Sequence, residues 1–179
     1  MPDVFLLLLT LTLVAAGLAW LRRAVVVALP LTLLGLAVTA YLAAANVTDP
    51  VLNEGERALI VAVSALLAIA GGGPVTTRVF ALVDGPRHTQ DDGSVSRAGE
   101  VLRGGTWIGA LERAAVFASL AAGIPEGVAI VLGLKGLGRY PELRSGEVAG
   151  AAERFIIGTF TSVLWAAACA GTVRLVLWL

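Results

Sequence analysis

Residues 104–159 read GGTWIGALERAAVFASLAAGIPEGVAIVLGLKGLGRYPELRSGEVAGAAERFIIGT. Ionisable side chains stand inside runs that are otherwise apolar: Glu112 and Arg113, Glu126, Lys135 and Arg139, then Glu153 and Arg154. A charge at membrane depth is unfavourable unless it faces a protein interior, a partner charge or an aqueous cavity. The stretch therefore predicts membrane helices packed around a charged cluster.

The rest of the chain agrees. Of its 179 residues 58% are hydrophobic and 15% charged, against about 25% charged in a soluble domain. Several apolar runs approach the ~20 residues that cross a bilayer. The expected fold is all-α: an integral membrane bundle of about six transmembrane helices, five at the fewest. Thirteen Lys and Arg balance 13 Asp and Glu, so no global field points to nucleic acid. His88 is the single histidine and Cys169 the single cysteine. That leaves no internal disulfide, no His/Cys metal set and no Ser-His or Cys-His pair.

Residues 1–83 are expected to hold three spans. Val4 to Trp20 and Ala24 to Ala45 are joined by Leu21-Arg22-Arg23, a turn too short and too basic for a cleaved signal, which predicts a hairpin. A third span starts at Ala58 and is expected to be interrupted at Gly71-Gly72-Gly73-Pro74, either as a helix end with an interfacial turn or as a break that lines a ligand. Residues 84–105 read as a polar cytoplasmic loop, with a helical turn near Ala98 to Leu102. Residues 106–179 hold three more spans. Gly123-Ile124-Pro125-Glu126-Gly127 marks a tight turn between the first two, and Pro141 to Ala151 a polar loop before the last, which runs from Phe155.

Basic residues orient this arrangement. Arg22/Arg23, Arg87/Arg97/Arg103 and Arg139/Arg144/Arg154 fall on one side, which the positive-inside rule makes cytoplasmic. Both termini then face outward from a multi-pass protein of the cell membrane, a bacterial inner membrane in the first instance. In this topology Glu112, Arg113, Lys135, Arg139, Glu153 and Arg154 gather at similar depth, and Thr159 adds a hydroxyl one and a half turns further in.

Three segments carry a resemblance. Gly105-Thr106-Trp107-Ile108-Gly109-Ala110-Leu111-Glu112-Arg113, Leu134-Lys135-Gly136-Leu137-Gly138-Arg139 and Glu153-Arg154-Phe155-Ile156-Ile157-Gly158-Thr159 resemble, in order, the G-R-x-I-G-x-L-E-R, A-K-S-x-x-R and E-Y-x-x-I-G-T motifs of a family of uncharacterised bacterial polytopic membrane proteins. The resemblance covers the C-terminal half. It departs at the first Arg, at Gly136 for Ser and at Arg154 for Tyr, and it implies where a site lies without implying a chemistry.

Four readings follow from the cluster. Arg113, Lys135, Arg139 and Arg154, with Thr159, outnumber the charge partners Glu112 and Glu153 and suit a phosphate or lipid headgroup, making membrane lipids the expected partner. Alternatively the charges pair internally and only fix packing. A third reading is an accessory subunit, with another membrane protein or a second copy packed on faces such as Ser119/Gly123 and Ala167/Gly171. The fourth is a proton- or ion-coupled transporter with Glu112 or Glu126 as carrier, although no internal repeat is visible. No catalytic residues, cofactor or metal are expected. Asp84-Gly85 and Asp91-Asp92-Gly93 lack the frame of the membrane CDP-alcohol phosphotransferases, so an enzyme is disfavoured.

Overall fold

The computed structural model describes residues 2–21, 23–45, 52–84, 103–145 and 151–178. Among these residues it is all-helical: α1 (Pro2–Leu18), α2 (Val25–Ala44), α3 (Glu54–Asp84), α4 (Arg103–Ala121), α5 (Glu126–Ser145) and α6 (Ala151–Trp178). Three are long and apolar enough to cross a membrane, over Val25–Ala44, Glu54–Val83 and Ala152–Leu177. The expectation of six such spans is corrected to three on length and apolarity. The apolar part of α1, Val4–Leu18, is shorter, and α4 and α5 are diluted by glycines and by Glu112, Arg113, Lys135 and Arg139.

Local chemistry sets the boundaries. The α1–α2 hairpin forms as expected, with Trp20 N–H donating to the Gly17 carbonyl and Ala24 N–H to Leu21 through the turn. At the start of α3, Asn53 Oδ1 accepts from Glu56 N–H at 2.9 Å while Glu56 Oε2 accepts from Asn53 N–H at 2.8 Å. This reciprocal box satisfies two donors that the first helical turn leaves free. α4 stops at Gly123, whose φ of +77° only glycine adopts without strain. Its N–H reaches the Leu120 carbonyl and the Ile124 N–H reaches that of Ser119, closing a Schellman cap. Arg174 of α6 donates to the same Leu120 carbonyl at 3.4 Å. The predicted tight turn is therefore present. α5 continues to Ser145 and α6 begins at Ala151, so the polar loop expected over 141–151 is shorter. The turn expected near Ala98 to Leu102 lies outside the described residues.

α3 is the central helix, packed against α1, α4 and α6, while α5 sits outermost and packs on α4. The core holds Phe5 and Leu9 of α1, Ile60 and Leu67 of α3, Phe117 of α4, and Trp165, Cys169 and Val173 of α6. Hydroxyls are buried beside these side chains. Thr12, Thr32, Thr39 and Thr172 are almost wholly enclosed, and each donates back to the carbonyl one turn earlier, at 2.7 to 2.9 Å. That internal bond lets threonine sit in a dry interior. Leu7, Leu31, Leu34, Leu66 and Leu164 meanwhile point outward and are at least half exposed.

The interruption expected at Gly71–Pro74 is absent, since α3 runs unbroken from Glu54 to Asp84. Pro74 has no N–H to offer the Ala70 carbonyl. The indole of Trp20 supplies one instead, with Nε1 donating to Ala70 at 3.0 Å. Trp165 Nε1 donates to Leu67 and Ala68, both at 3.2 Å, and Arg113 Nε to Ile69 at 3.0 Å. Four successive carbonyls thus accept from side chains of other segments. The glycines make room for those donors. A Cβ on Gly71 would lie 2.5 Å from the Trp165 ring, one on Gly72 2.7 Å from Arg113 Nε, and one on Gly73 2.8 Å from the Trp20 ring. Successive helical residues point about 100° apart, so three consecutive glycines open three faces of α3 to three different donors. Residues that normally break a helix here hold the bundle together.

Candidate functional site

A small cleft of mixed polar and apolar lining lies where α4, α5 and α6 meet. It is lined by Glu112, Arg113 and Val116 of α4, Val131, Leu132 and Lys135 of α5, and Ser162 and Val163 of α6. Glu112 and Arg113 are adjacent in sequence but point about 100° apart on the helix. Glu112 reaches outward to α5 and Arg113 inward to α3.

Lys135 Nζ and Glu112 Oε2 form a direct ion pair, with side chains 20% and 15% exposed. The same ammonium stands 5.8 Å from the centroid of the Phe155 ring, within range of a cation–π attraction. Arg113 is only 7% exposed. Besides its bond to Ile69, its Nη1 lies 3.4 Å from Ser162 Oγ. Those two partners are a carbonyl and a hydroxyl, and neither carries a negative charge. The cleft therefore holds two cations and one carboxylate. Its cavity volume is about 10 Å³, on the scale of a single water molecule.

The predicted cluster assembles only in part. Glu112, Arg113 and Lys135 come together. Arg139, four residues beyond Lys135 and half-buried, does not line the cleft. Glu153 and Arg154 are exposed in the first turn of α6 and do not line it either. Thr159 is half-buried and its Oγ1 is enclosed without a hydrogen-bond partner among the described residues. One contributor was missed, Ser162. The signal was one helical step away, because Thr159, Ser162 and Trp165 share a face of α6 at spacings of three. Among the described residues no group of His, Cys, Asp and Glu could hold a metal ion.

No family model, curated protein or solved structure matches the chain.

Proposed function

We propose that this is an integral membrane protein whose α4–α5–α6 cleft binds an anionic group, a phosphate or a phosphate-bearing lipid headgroup. The observation that carries the reading is the charge imbalance. Glu112 is paired with Lys135 and also attracts Arg113 electrostatically, while the direct hydrogen-bond partners of the buried Arg113 guanidinium among the described residues are neutral. Two partly desolvated cations that share one carboxylate leave an excess of positive charge that favours an anion, and a guanidinium edge matches the geometry of a phosphate. The membrane setting is supported by three apolar helices of spanning length and by a surface rich in Leu, Val and Ile over an interior that holds Thr, Ser and Arg. In this setting the positive-inside rule favours a cleft nearer the cytoplasmic face. The fit to the uncharacterised family's motifs supports the same location, since Glu112, Arg113 and Lys135 all fall within them.

Binding requires the cleft to widen. α5 is the wall able to move, because none of its described side chains is buried and its main contact is α4. Glu112 then competes with the ligand for Lys135, which distinguishes binding from purely structural pairing. The second reading, charges that only fix packing, is favoured by the Arg113–Ile69 bond.

The test is native mass spectrometry from nanodiscs of phosphatidylglycerol or phosphatidylcholine, alongside titration with inorganic phosphate, for wild type, Lys135→Met and Glu112→Gln. Adducts of the anionic lipid that vanish in Lys135→Met and strengthen in Glu112→Gln support a headgroup site. Phosphate affinity that changes in the same two directions without lipid adducts supports a free-phosphate site. Equal lipid adducts and equal phosphate affinities in all three proteins, or no binding of either ligand, refute the anion reading and leave the charges as a packing device.

A further inference from the structure

Arg113 touches two things at once: the cleft, through Nη1 at Ser162, and the proline turn of α3, through Nε at the Ile69 carbonyl. Its Cδ and Nε occupy the notch left by Gly72. The carbonyl it holds is next to Ala70, whose own acceptor is deprived of an N–H by Pro74 and served by Trp20. Proline turns are where helices bend. Only the Ala70 carbonyl loses its helical donor to Pro74, and the lateral bonds from Trp20 and Arg113 fall on that carbonyl and the one before it.

We infer that Arg113 couples occupancy of the cleft to how far α3 bends at Pro74, an inference that rests on the anion reading above. A phosphate group takes a guanidinium best by two parallel bonds. To offer such an edge to the cleft, Arg113 turns away from Ile69. The turn around Pro74 then loses one lateral restraint, and the C-terminal part of α3, from Pro74 to Asp84, swings relative to α1 and α2. By linkage the dependence is mutual: whatever stiffens the proline turn weakens the anion, and whatever loosens it tightens the anion.

Spin labels report the swing. In a Cys169→Ala background, labels at Leu82→Cys on α3 and Val26→Cys on α2 both occupy exposed positions. A bend change of about 20° acting over the eight residues from Pro74 to Leu82 moves the label about 4 Å. Double electron–electron resonance distances are measured with and without inorganic phosphate, and in nanodiscs with and without phosphatidic acid. Phosphate affinity is measured in parallel for wild type, Pro74→Ala and Trp20→Phe. The expected result is a shift of about that size on binding in wild type and none in Pro74→Ala, which regains the N–H for Ala70. Pro74→Ala is also expected to bind at least ~5-fold more weakly, and Trp20→Phe more tightly. Binding in wild type with an unchanged distance, or equal affinities in all three proteins, overturns the coupling and leaves the cleft reading standing. Absence of binding by phosphate and phosphatidic acid alike overturns the cleft reading and the coupling with it. A response to phosphatidic acid but not to phosphate identifies the headgroup as the source.

Discussion

Gly72→Ala should destabilise the protein although alanine is the better helix former. In an open helix the change gains about 1 kcal/mol, because alanine loses less backbone entropy than glycine. At position 72 the new methyl falls 2.7 Å from Arg113 Nε, closer still to Arg113 Cδ, and 3.1 Å from Trp165 Cδ1. Arg113 must leave the notch, which breaks its bond to Ile69 and moves Nη1 off Ser162. A bond from a charged donor contributes about 1.5–3 kcal/mol and overpacking costs about 1–3 kcal/mol. After the propensity gain, a net loss of about 3 kcal/mol remains, on the order of 6–12 °C in midpoint for a chain of this size. Equilibrium unfolding in mixed detergent, followed by tryptophan fluorescence, measures it. Gly133→Ala and Gly171→Ala are the controls, because a Cβ at either position meets nothing within 4 Å, and both should be neutral or stabilising. If Gly72→Ala matches those controls, Arg113 does not lie against α3 and the account of the glycine triplet fails.

Three further outcomes follow from the same geometry. Trp20→Phe removes the donor to Ala70 and should cost about 1 kcal/mol, but less in a Pro74→Ala background, where the backbone serves that carbonyl; a double-mutant cycle with no coupling would refute the pairing. Lys135→Met leaves the Glu112 carboxylate partly buried without its partner, so it should lower the unfolding midpoint more than the Glu112→Gln/Lys135→Met pair does in the same fluorescence assay. Gly123→Ala forces a left-handed φ on alanine and should cost about 1 kcal/mol, read as a lowered midpoint with the α4–α5 connection the first to open in hydrogen exchange.

What was legible in the sequence was local. The α1–α2 hairpin follows from two apolar runs meeting at Leu21-Arg22-Arg23, and the α4–α5 turn from Gly123 and Pro125, because both depend on neighbours a few residues away. The meeting of Glu112, Arg113 and Lys135 was legible for a different reason: such charges have few places to go in apolar helices, so they find each other. The glycine triplet was misread because Gly and Pro act as breakers in any local account. Trp20, Arg113 and Trp165, which compensate for them, lie some 40 to 100 residues away along the chain. Arg139 and Arg154 were grouped with the site on helical depth alone. Depth does not fix rotation about the helix axis, and neither residue lines the cleft.

The position of Arg113 explains why an arginine, and not a lysine, fits there. The Arg113 side chain passes through the notch at Gly72 by its Cδ and Nε, with Nε donating to one carbonyl and Nη1 reaching the cleft at Ser162. An ammonium is a compact, more strongly hydrated point charge whose donors diverge from one atom. It would have to choose between Ile69 and the cleft, and to keep water with it in a space of about 10 Å³. The two tryptophans work by the same rule, each a flat group laid on a glycine with one N–H at its edge. α3 is thus held by three planar donors on three faces. Of the three, Arg113 alone carries a charge and alone lines the cleft, so it is where binding and the shape of the helix meet.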